Sequence, residues 1–392
     1  MTPAYTRFAA WSLAALFAFG ILTLWVRDRW ALAIFHSGVL LTTLIWSWLN
    51  LWFRGSVRFH PVLLPLAAIP LCGLLQILTG LTVFPWATSE SVIEWTATLA
   101  AAFLFLQALA SFSLRSRLEN ALLLFSTAIA VLAIFHLFTA QGRFLWIFDT
   151  GYVTEVLGPF VYRNKYAQFA EIAFPLALWR AIADHRRAPL FLTSAALIAA
   201  GVVAGASRAG AAFLLAEIAA VLLLAARRQA LSLRAAALSG LSALAAVSLW
   251  GAVVGWDFFW QRLTGIDPLQ DYRWPIMAST FEMIRQRPLL GYGLGTWPTV
   301  YPQFATFDIG VFVNQAHCDW LQWTAEGGLP LLAAFIAIPA LLLKRLLHSV
   351  WGVGFLTVLA HAALDYPFHQ LPAFTTFLLC AALLAAEDRT GI

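Results

Sequence analysis

The chain has 392 residues, of which 61% are hydrophobic and 11% are charged, and its net charge is +5. This apolar share is more than a water-soluble core can bury, so the composition excludes a soluble enzyme and predicts an integral membrane protein. No basic tail is present, which argues against nucleic acid as a partner. The three cysteines form no spaced metal or redox motif.

Twelve apolar runs predict an all-α, polytopic bundle of about 12 transmembrane helices, because most approach the ~20 residues that a helix needs to cross a bilayer. The first run contains two tryptophans and no small-residue cleavage site, so we expect a retained helix and not a signal peptide. The runs are 8–26, 30–53, 61–82, 93–113, 119–140, 165–183, 189–206, 209–226, 234–254, 328–343, 349–364 and 371–386.

The distribution of basic residues predicts the orientation of the chain. The short loops containing "RSR", "DHRR", "RRQALSLR" and "KR" would all lie on one side, and short basic loops stay in the cytoplasm. Both termini are then cytoplasmic, and a large periplasmic loop region with short helices remains outside. This gives four regions: 1–140 and 141–254 with the first nine helices, 255–327 as the large loop, and 328–392 with the last three helices.

One stretch of this large loop, "VNQAHCDWLQWTAEGGLP" at 313–330, concentrates titratable side chains. Asn314 could cap a helix that begins near Gln315, which would place His317 in the first turn as a neutral proton acceptor. The alternative is an interfacial histidine that only forms a hydrogen bond. Cys318 would point about 100° away from His317 on such a helix, so the two do not form a nucleophilic dyad. Gly327, Gly328 and Pro330 should end or bend the helix.

Two arginines are candidates for binding an anion on the same side. Arg208, in "GASRAG", lies between the seventh and eighth runs, and Arg273, in "DYRWP", lies in the large loop. Planar guanidinium groups match phosphate oxygens and stay charged, so the pair could clamp a diphosphate. The alternatives are that Arg208 reaches towards lipid headgroups and that Arg273 pairs with Asp267 or Asp271.

Several further polar residues are supporting candidates. Glu171 would lie within the sixth span, where a carboxylate needs a proton or a basic partner. His361 and Asp365, at positions i and i+4, could form a local pair. We expect the glycines of "GYGLG" to form a tight turn and not a dinucleotide site, because no strand precedes them. No cluster has metal-ligand spacing. The supporting candidates are Arg163, Asn164, Glu326, His361 and Asp365.

The ordered motifs "GPFVYRNKYAQFAEIAFP", "GASRAG", "DYRW…RPLLGYGLGTW", "NQAHCDWLQWTAEGGLP" and "HAALDYPFHQLP" resemble the O-antigen ligase and polymerase superfamily of bacterial membrane glycosyltransferases. The resemblance spans roughly residues 155–385. It maps the family's loop histidine onto His317 and its two essential arginines onto Arg208 and Arg273. Where the family often has Asn and Tyr after the histidine, this chain has Cys318-Asp319-Trp320, which bears on acceptor preference.

The resemblance implies glycan transfer from undecaprenyl diphosphate to an acceptor at the periplasmic face of the inner membrane, without cofactor or metal. His317 would be the general base and the two arginines would stabilise the leaving diphosphate. An O-antigen ligase with a lipid A-core acceptor is favoured, and a polymerase that extends another lipid-linked glycan is the alternative. A lipid-linked oligosaccharide flippase is the rival from another class, but it should show related halves and charges at the membrane midplane.

Overall fold

The computed structural model describes residues 2–23, 29–149, 157–264, 272–308 and 310–386. The alternative pairing of Arg273 with Asp267 or Asp271 concerns acids that lie outside these residues.

The described residues fold into fourteen α-helices, and a minimal antiparallel pairing of β1 (Arg143–Phe144) with β2 (Phe148–Asp149) follows the fifth. Single 3-10 turns occur at Tyr301–Gln303 and Pro367–His369. The helices are α1 (Ala4–Thr23), α2 (Arg29–Trp52), α3 (Leu63–Leu78), α4 (Pro85–Ala108), α5 (Phe112–Thr139), α6 (Arg163–Ala183), α7 (Ala188–Ala204), α8 (Arg208–Arg227), α9 (Leu233–Thr264), α10 (Arg273–Gln286), α11 (Trp297–Val300), α12 (Asp319–Leu346), α13 (Val350–His361) and α14 (Leu371–Ala386).

The predicted helical class is confirmed, since each of the twelve apolar runs overlaps one of these helices. Among the described residues, six helices, α1, α2, α4, α5, α8 and α12, are long and apolar enough to cross a membrane. Shorter apolar helices include α3, α7 and α13 and parts of α9 and α14. The number of membrane crossings and the placement of the 255–327 region outside the membrane therefore stay predictions.

Helix α6 lies at the centre of the bundle and packs against α5, α7, α8, α13 and α14. Every residue from Arg163 to Ala177 is buried, including several polar ones. Polar side chains buried within a membrane protein are costly unless they find partners, and they mark functional positions. The buried polar residues of α6 are Arg163, Asn164, Lys165, Gln168 and Glu171.

The start of α12 corrects the predicted cap at Asn314. The helix begins at Asp319, with Cys318 in the capping position and an extended backbone. His317 has a φ of 55°, in the left-handed region, which stops a helix from including it. The chain instead folds back over the helix start, where the N–H of Ala316 donates to Gln322 Oε1 (2.8 Å). His317 therefore precedes the helix and is not in its first turn.

The predicted bend in this helix is confirmed at Gly328, whose φ of 73° and ψ of −173° are not helical. The loop before α11 packs against the bend, because Leu329 N–H donates to the carbonyl of Pro288 (2.7 Å). A Cβ on Gly328 would collide with the backbone of Leu289. The positive φ values of the "GYGLG" glycines also fit the predicted turn.

Arginines stabilise the end of the bundle where α12 and α14 finish. Arg345 Nη1 donates to the carbonyls of Leu384 and Ala385 at 2.7 and 2.6 Å. Arg115 Nη2 donates to the carbonyl of Ala386 at 3.2 Å. These contacts satisfy carbonyls at the C-terminus of α14, where a cation is also favoured by the helix dipole. The opposite end of the bundle holds the site described below.

We predict that Gln76→Ala destabilises the fold. Gln76 is buried in α3, and its Nε2 donates to the carbonyls of Leu290 and Glu326 (both 2.9 Å) while its Oε1 accepts from Leu294 N–H (3.0 Å). Loss of these partners should cost about 1–3 kcal/mol. Thermal unfolding in detergent should show a lower melting temperature than for Gln286→Ala, which changes an exposed glutamine of α10. Equal melting temperatures would refute this role for Gln76.

Candidate functional site

A buried carboxylate joins several chain segments at the end of the bundle where α6, α8 and α12 begin. Asp365 lies after α13 and is 1% exposed. Its Oδ2 accepts hydrogen bonds from Asn164 Nδ2 (3.0 Å) and Gln168 Nε2 (3.2 Å), both on α6. These contacts span about 200 residues of sequence and fix the loop after α13 against the central helix.

His317 lies beside this carboxylate. Its Nδ1 is 3.6 Å from Asp365 Oδ1, which is within ion-pair range but longer than a hydrogen bond. Its ring meets Tyr366 edge-on, with the ring centres 5.2 Å apart. The side chain of His317 is 25% exposed whereas that of Asp365 is 2% exposed. The histidine is therefore the member of the pair that a substrate can reach, and the carboxylate is placed to orient it.

Two cations accompany the pair. Lys165 Nζ lies 3.4 Å from the centre of the Tyr366 ring, and Arg273 Nη1 donates to the carbonyl of Leu364 (3.3 Å). Burial alone would raise the pKa of Asp365, but His317 and the charges of Lys165 and Arg273 outweigh it and hold this pKa below its usual range. Asp365 is therefore an ionised carboxylate that faces positive groups.

The turn that carries Arg208 is tied to the same carboxylate through Asn164. Ser207 Oγ donates to Asn164 Oδ1 (2.8 Å) and also caps α8 by accepting from Gly210 N–H (3.1 Å). Arg208, the first residue of α8, is partly exposed at this turn. A continuous series of contacts thus runs from the Arg208 turn through Asn164 and Asp365 to His317. Arg163, the neighbour of Asn164, is buried with its guanidinium 5.5 Å from the Tyr162 ring centre.

The side chains of His361 and Asp365 do not form the expected local pair, although Asp365 N–H donates to the carbonyl of His361 (2.9 Å). Helix α13 ends at His361, and the carboxylate of Asp365 turns to α6. His361 Nδ1 lies 2.6 Å from Glu171 Oε1, and both side chains are fully buried. The expectation that Glu171 is matched to a base is thereby confirmed, with His361 as that base.

A third histidine and acid pair was not predicted. His369 Nδ1 contacts Asp319 Oδ1, and Asp319 Oδ2 accepts from Phe368 N–H (2.8 Å). Burial lowers the pKa of His369, but Asp319, with smaller contributions from Glu326 and Glu94, raises it above its ordinary value. The order of these residues in the sequence is only a weak signal of this pairing. In the structure the two segments cross, so that His317 faces Asp365 and Asp319 faces His369.

Glu326 supports a neighbouring loop. Its Oε2 accepts from Gly295 N–H (2.9 Å), and its Oε1 accepts from Trp297 N–H and Gln322 Nε2 (both 3.4 Å). It therefore fixes the turn before α11.

Cys318 is buried, and burial raises the pKa of its thiol, which disfavours the thiolate that a nucleophile requires.

Across the described ranges, no group of three or more His, Cys, Asp or Glu side chains is arranged to hold a metal ion. Arg285 lies at the surface and pairs with Glu282 at 3.0 Å.

The family model described as O-antigen ligase matches residues 193–336. This segment contains Arg208, Arg273, His317 and Glu326. The match supports the O-antigen ligase superfamily and so confirms the resemblance that the ordered motifs indicated. No curated protein sequence matches the chain.

We predict that Asp365→Asn destabilises the protein in a pH-dependent way. Because the folded-state pKa of Asp365 is depressed, its contribution is present above about pH 4 and is lost as the pH falls towards the folded value. The melting temperature of the variant should lie below that of the wild type at neutral pH, and the difference should shrink below about pH 4. Asp308→Asn is the control, since Asp308 is exposed and accepts a local bond from Gly310 N–H (2.8 Å). A difference that does not change with pH would contradict the assignment of an ionised Asp365.

Proposed function

Because residues 193–336 match the family model described as O-antigen ligase, we propose that the protein is a glycosyltransferase of the bacterial inner membrane. It transfers a glycan from an undecaprenyl-diphosphate carrier to a sugar hydroxyl of a lipid A-core acceptor at the periplasmic face. The proposal rests on one observation: a partly exposed His317 lies against an ionised, buried Asp365, with Arg273 and the Arg208 turn held around the same carboxylate.

His317 acts as the general base. Its imidazole accepts the proton of the acceptor hydroxyl while the hydroxyl oxygen attacks the anomeric carbon of the donor. Asp365 orients the ring and stabilises the imidazolium that forms, as a carboxylate does beside a catalytic histidine. The imidazolium then passes its proton to water. General base catalysis of this kind contributes about 10²–10⁴-fold to a rate.

The leaving group determines the role of the arginines. As the new glycosidic bond forms, the bond between the anomeric carbon and the diphosphate oxygen breaks, and the electron pair stays on the polyprenyl diphosphate. Arg208 and Arg273 stabilise this developing charge with pre-positioned guanidinium groups, without a metal ion. A single displacement inverts the configuration at the anomeric carbon. The Arg208 turn is held beside Asp365 through Asn164, and Arg273 donates to the carbonyl of the neighbouring Leu364.

One assay tests the proposal. Purified protein is given a defined undecaprenyl-diphosphate glycan with lipid A-core, with a second lipid-linked glycan, or with no acceptor. Transfer to lipid A-core supports the ligase, and extension of the lipid-linked glycan would identify a polymerase instead. Vesicle translocation of the glycan without any new glycosidic bond would overturn the proposal in favour of a flippase.

We predict that His317→Ala reduces transfer by at least about 10²-fold, because the acceptor hydroxyl loses its base. The donor KM should change little, since the arginines are intact. His185→Ala, at an exposed histidine between α6 and α7, serves as the matched control and should retain wild-type turnover. Turnover of His317→Ala equal to that of this control would remove His317 from the catalytic role.

We predict that Arg208→Lys and Arg273→Lys each lower kcat/KM by at least about tenfold, because an ammonium cannot reproduce a bidentate contact with phosphate. The same loss should appear in the affinity for undecaprenyl diphosphate alone. Arg285→Lys is the control, because Arg285 is exposed and already pairs with Glu282. If both variants bind and react like this control, the two arginines do not hold the diphosphate.

A further inference from the structure

A cavity of about 280 Å³ lies next to the pair of His369 and Asp319, between α4 and the start of α12. Asn314 and Gln315, which precede His317, form part of its wall. The volume lies near the lower end of the ~300–1,000 Å³ range of ligand cavities, which suits a short carbohydrate segment more than a lipid chain. Its other lining residues include Glu90, Glu94, Trp95, Thr98, Trp323 and His369.

The chemistry of the cavity differs from that of the site around Asp365. Its lining includes the carboxylates of Glu90, Glu94 and Glu326, and none of the described residues that line it is lysine or arginine. Glu326 is already engaged by backbone N–H groups of the loop before α11, whereas Glu90 is exposed and Glu94 acts electrostatically on His369. A phosphate or carboxylate ligand would be repelled here, since like charges at short range cost free energy.

The remaining walls suit a sugar ring. Trp95 and Trp323 line the cavity and meet each other at a tilt of 65°, while Trp323 stacks on Phe335 and Phe368. The two tryptophans give the cavity an apolar wall beside its polar groups, and a sugar ring has both apolar and hydroxyl surfaces. Thr98 is 2% exposed, and within the described part of the chain neither its hydroxyl nor Gln315 Oε1 has a hydrogen-bond partner. Buried polar atoms of this kind normally have a partner, and a hydroxyl group of a ligand can supply it.

The geometry points to this cavity as a subsite for an uncharged or amino-bearing sugar. Glu90 and Glu94 bind its hydroxyl or ammonium groups, and His369, oriented by Asp319, donates from its second ring nitrogen. This inference rests on the proposed glycan transfer and adds a selectivity to it: sugars carrying a carboxylate or phosphate are excluded. The sugar belongs either to the donor glycan or to the acceptor, and the two sources are distinguished by experiment.

Binding is measured first, independently of turnover. Full-length protein in detergent is titrated by saturation-transfer NMR with the methyl glycosides of glucose, glucosamine and glucuronic acid. We expect the glucoside and the glucosaminide to bind and the glucuronide to bind at least about tenfold more weakly.

The Glu94→Gln variant should bind the glucosaminide about tenfold more weakly than the wild type, because one charge-assisted hydrogen bond is lost. Glu94→Lys should reverse the preference in favour of the glucuronide. Glu282→Gln, at the surface ion pair, is the matched control and should bind all three like the wild type.

Steady-state kinetics then identify the source of the sugar. An increase in the KM for lipid A-core in Glu94→Gln assigns the subsite to the acceptor, and an increase in the donor KM assigns it to the donor glycan. Equal binding of glucosaminide and glucuronide, or no effect of either Glu94 variant, overturns the inference while leaving glycan transfer intact. Selective binding by a protein that transfers no glycan would support the subsite and contradict the proposed function, so the two failures are separable.

Discussion

The arrangement of the site depends on the ionised carboxylate of Asp365. This group is almost inaccessible to water, and a buried charge persists only where hydrogen bonds and opposite charges offset its desolvation. Asn164 and Gln168 supply the hydrogen bonds, His317 lies beside the carboxylate, and Lys165 and Arg273 supply the positive charges. Each of these groups comes from a chain segment that lies far from Asp365 in sequence or in a separate loop. The partners of the Asp365 carboxylate therefore bring α6, the start of α10 and the segment before α12 together in one place.

The crossing of two segments gives the site two chemically different sides. Residues 317–319 run beside residues 365–369, so that His317 faces Asp365 and Asp319 faces His369. The backbone also joins them, because Asp319 N–H donates to the carbonyl of Ala362 (2.9 Å). Cations gather around Asp365, and acids gather around His369. Such a separation suits a reaction in which an anionic leaving group and a hydroxyl-rich glycan must meet at one carbon atom without competing for the same side chains.

Much of the helical architecture was predictable, because the length of an apolar run depends on local composition. All twelve runs overlap helices, and the bend at Gly328 followed from two consecutive glycines and a proline. The details of the site were less predictable. Helix α12 begins at Asp319 and not near Gln315 as predicted, because His317 adopts a left-handed backbone conformation and Gln322 accepts a hydrogen bond from the Ala316 N–H. The His361 side chain pairs with Glu171, 190 residues away, and not with the nearby carboxylate of Asp365. No rule about spacing along a helix could reveal this distant partner. The pairing of His369 with Asp319 likewise arises from tertiary contact across 50 residues.

The central claim is that a lipid-linked diphosphate and a reacting hydroxyl meet between two arginines and a histidine that are organised by Asp365. A cryo-electron-microscopy structure of the protein with undecaprenyl diphosphate bound tests it most directly. The account predicts phosphate oxygens within hydrogen-bond distance of the Arg208 and Arg273 guanidinium groups, with the His317 ring facing the position of the anomeric carbon. A diphosphate bound elsewhere on the bundle, or one that contacts neither arginine, would contradict it.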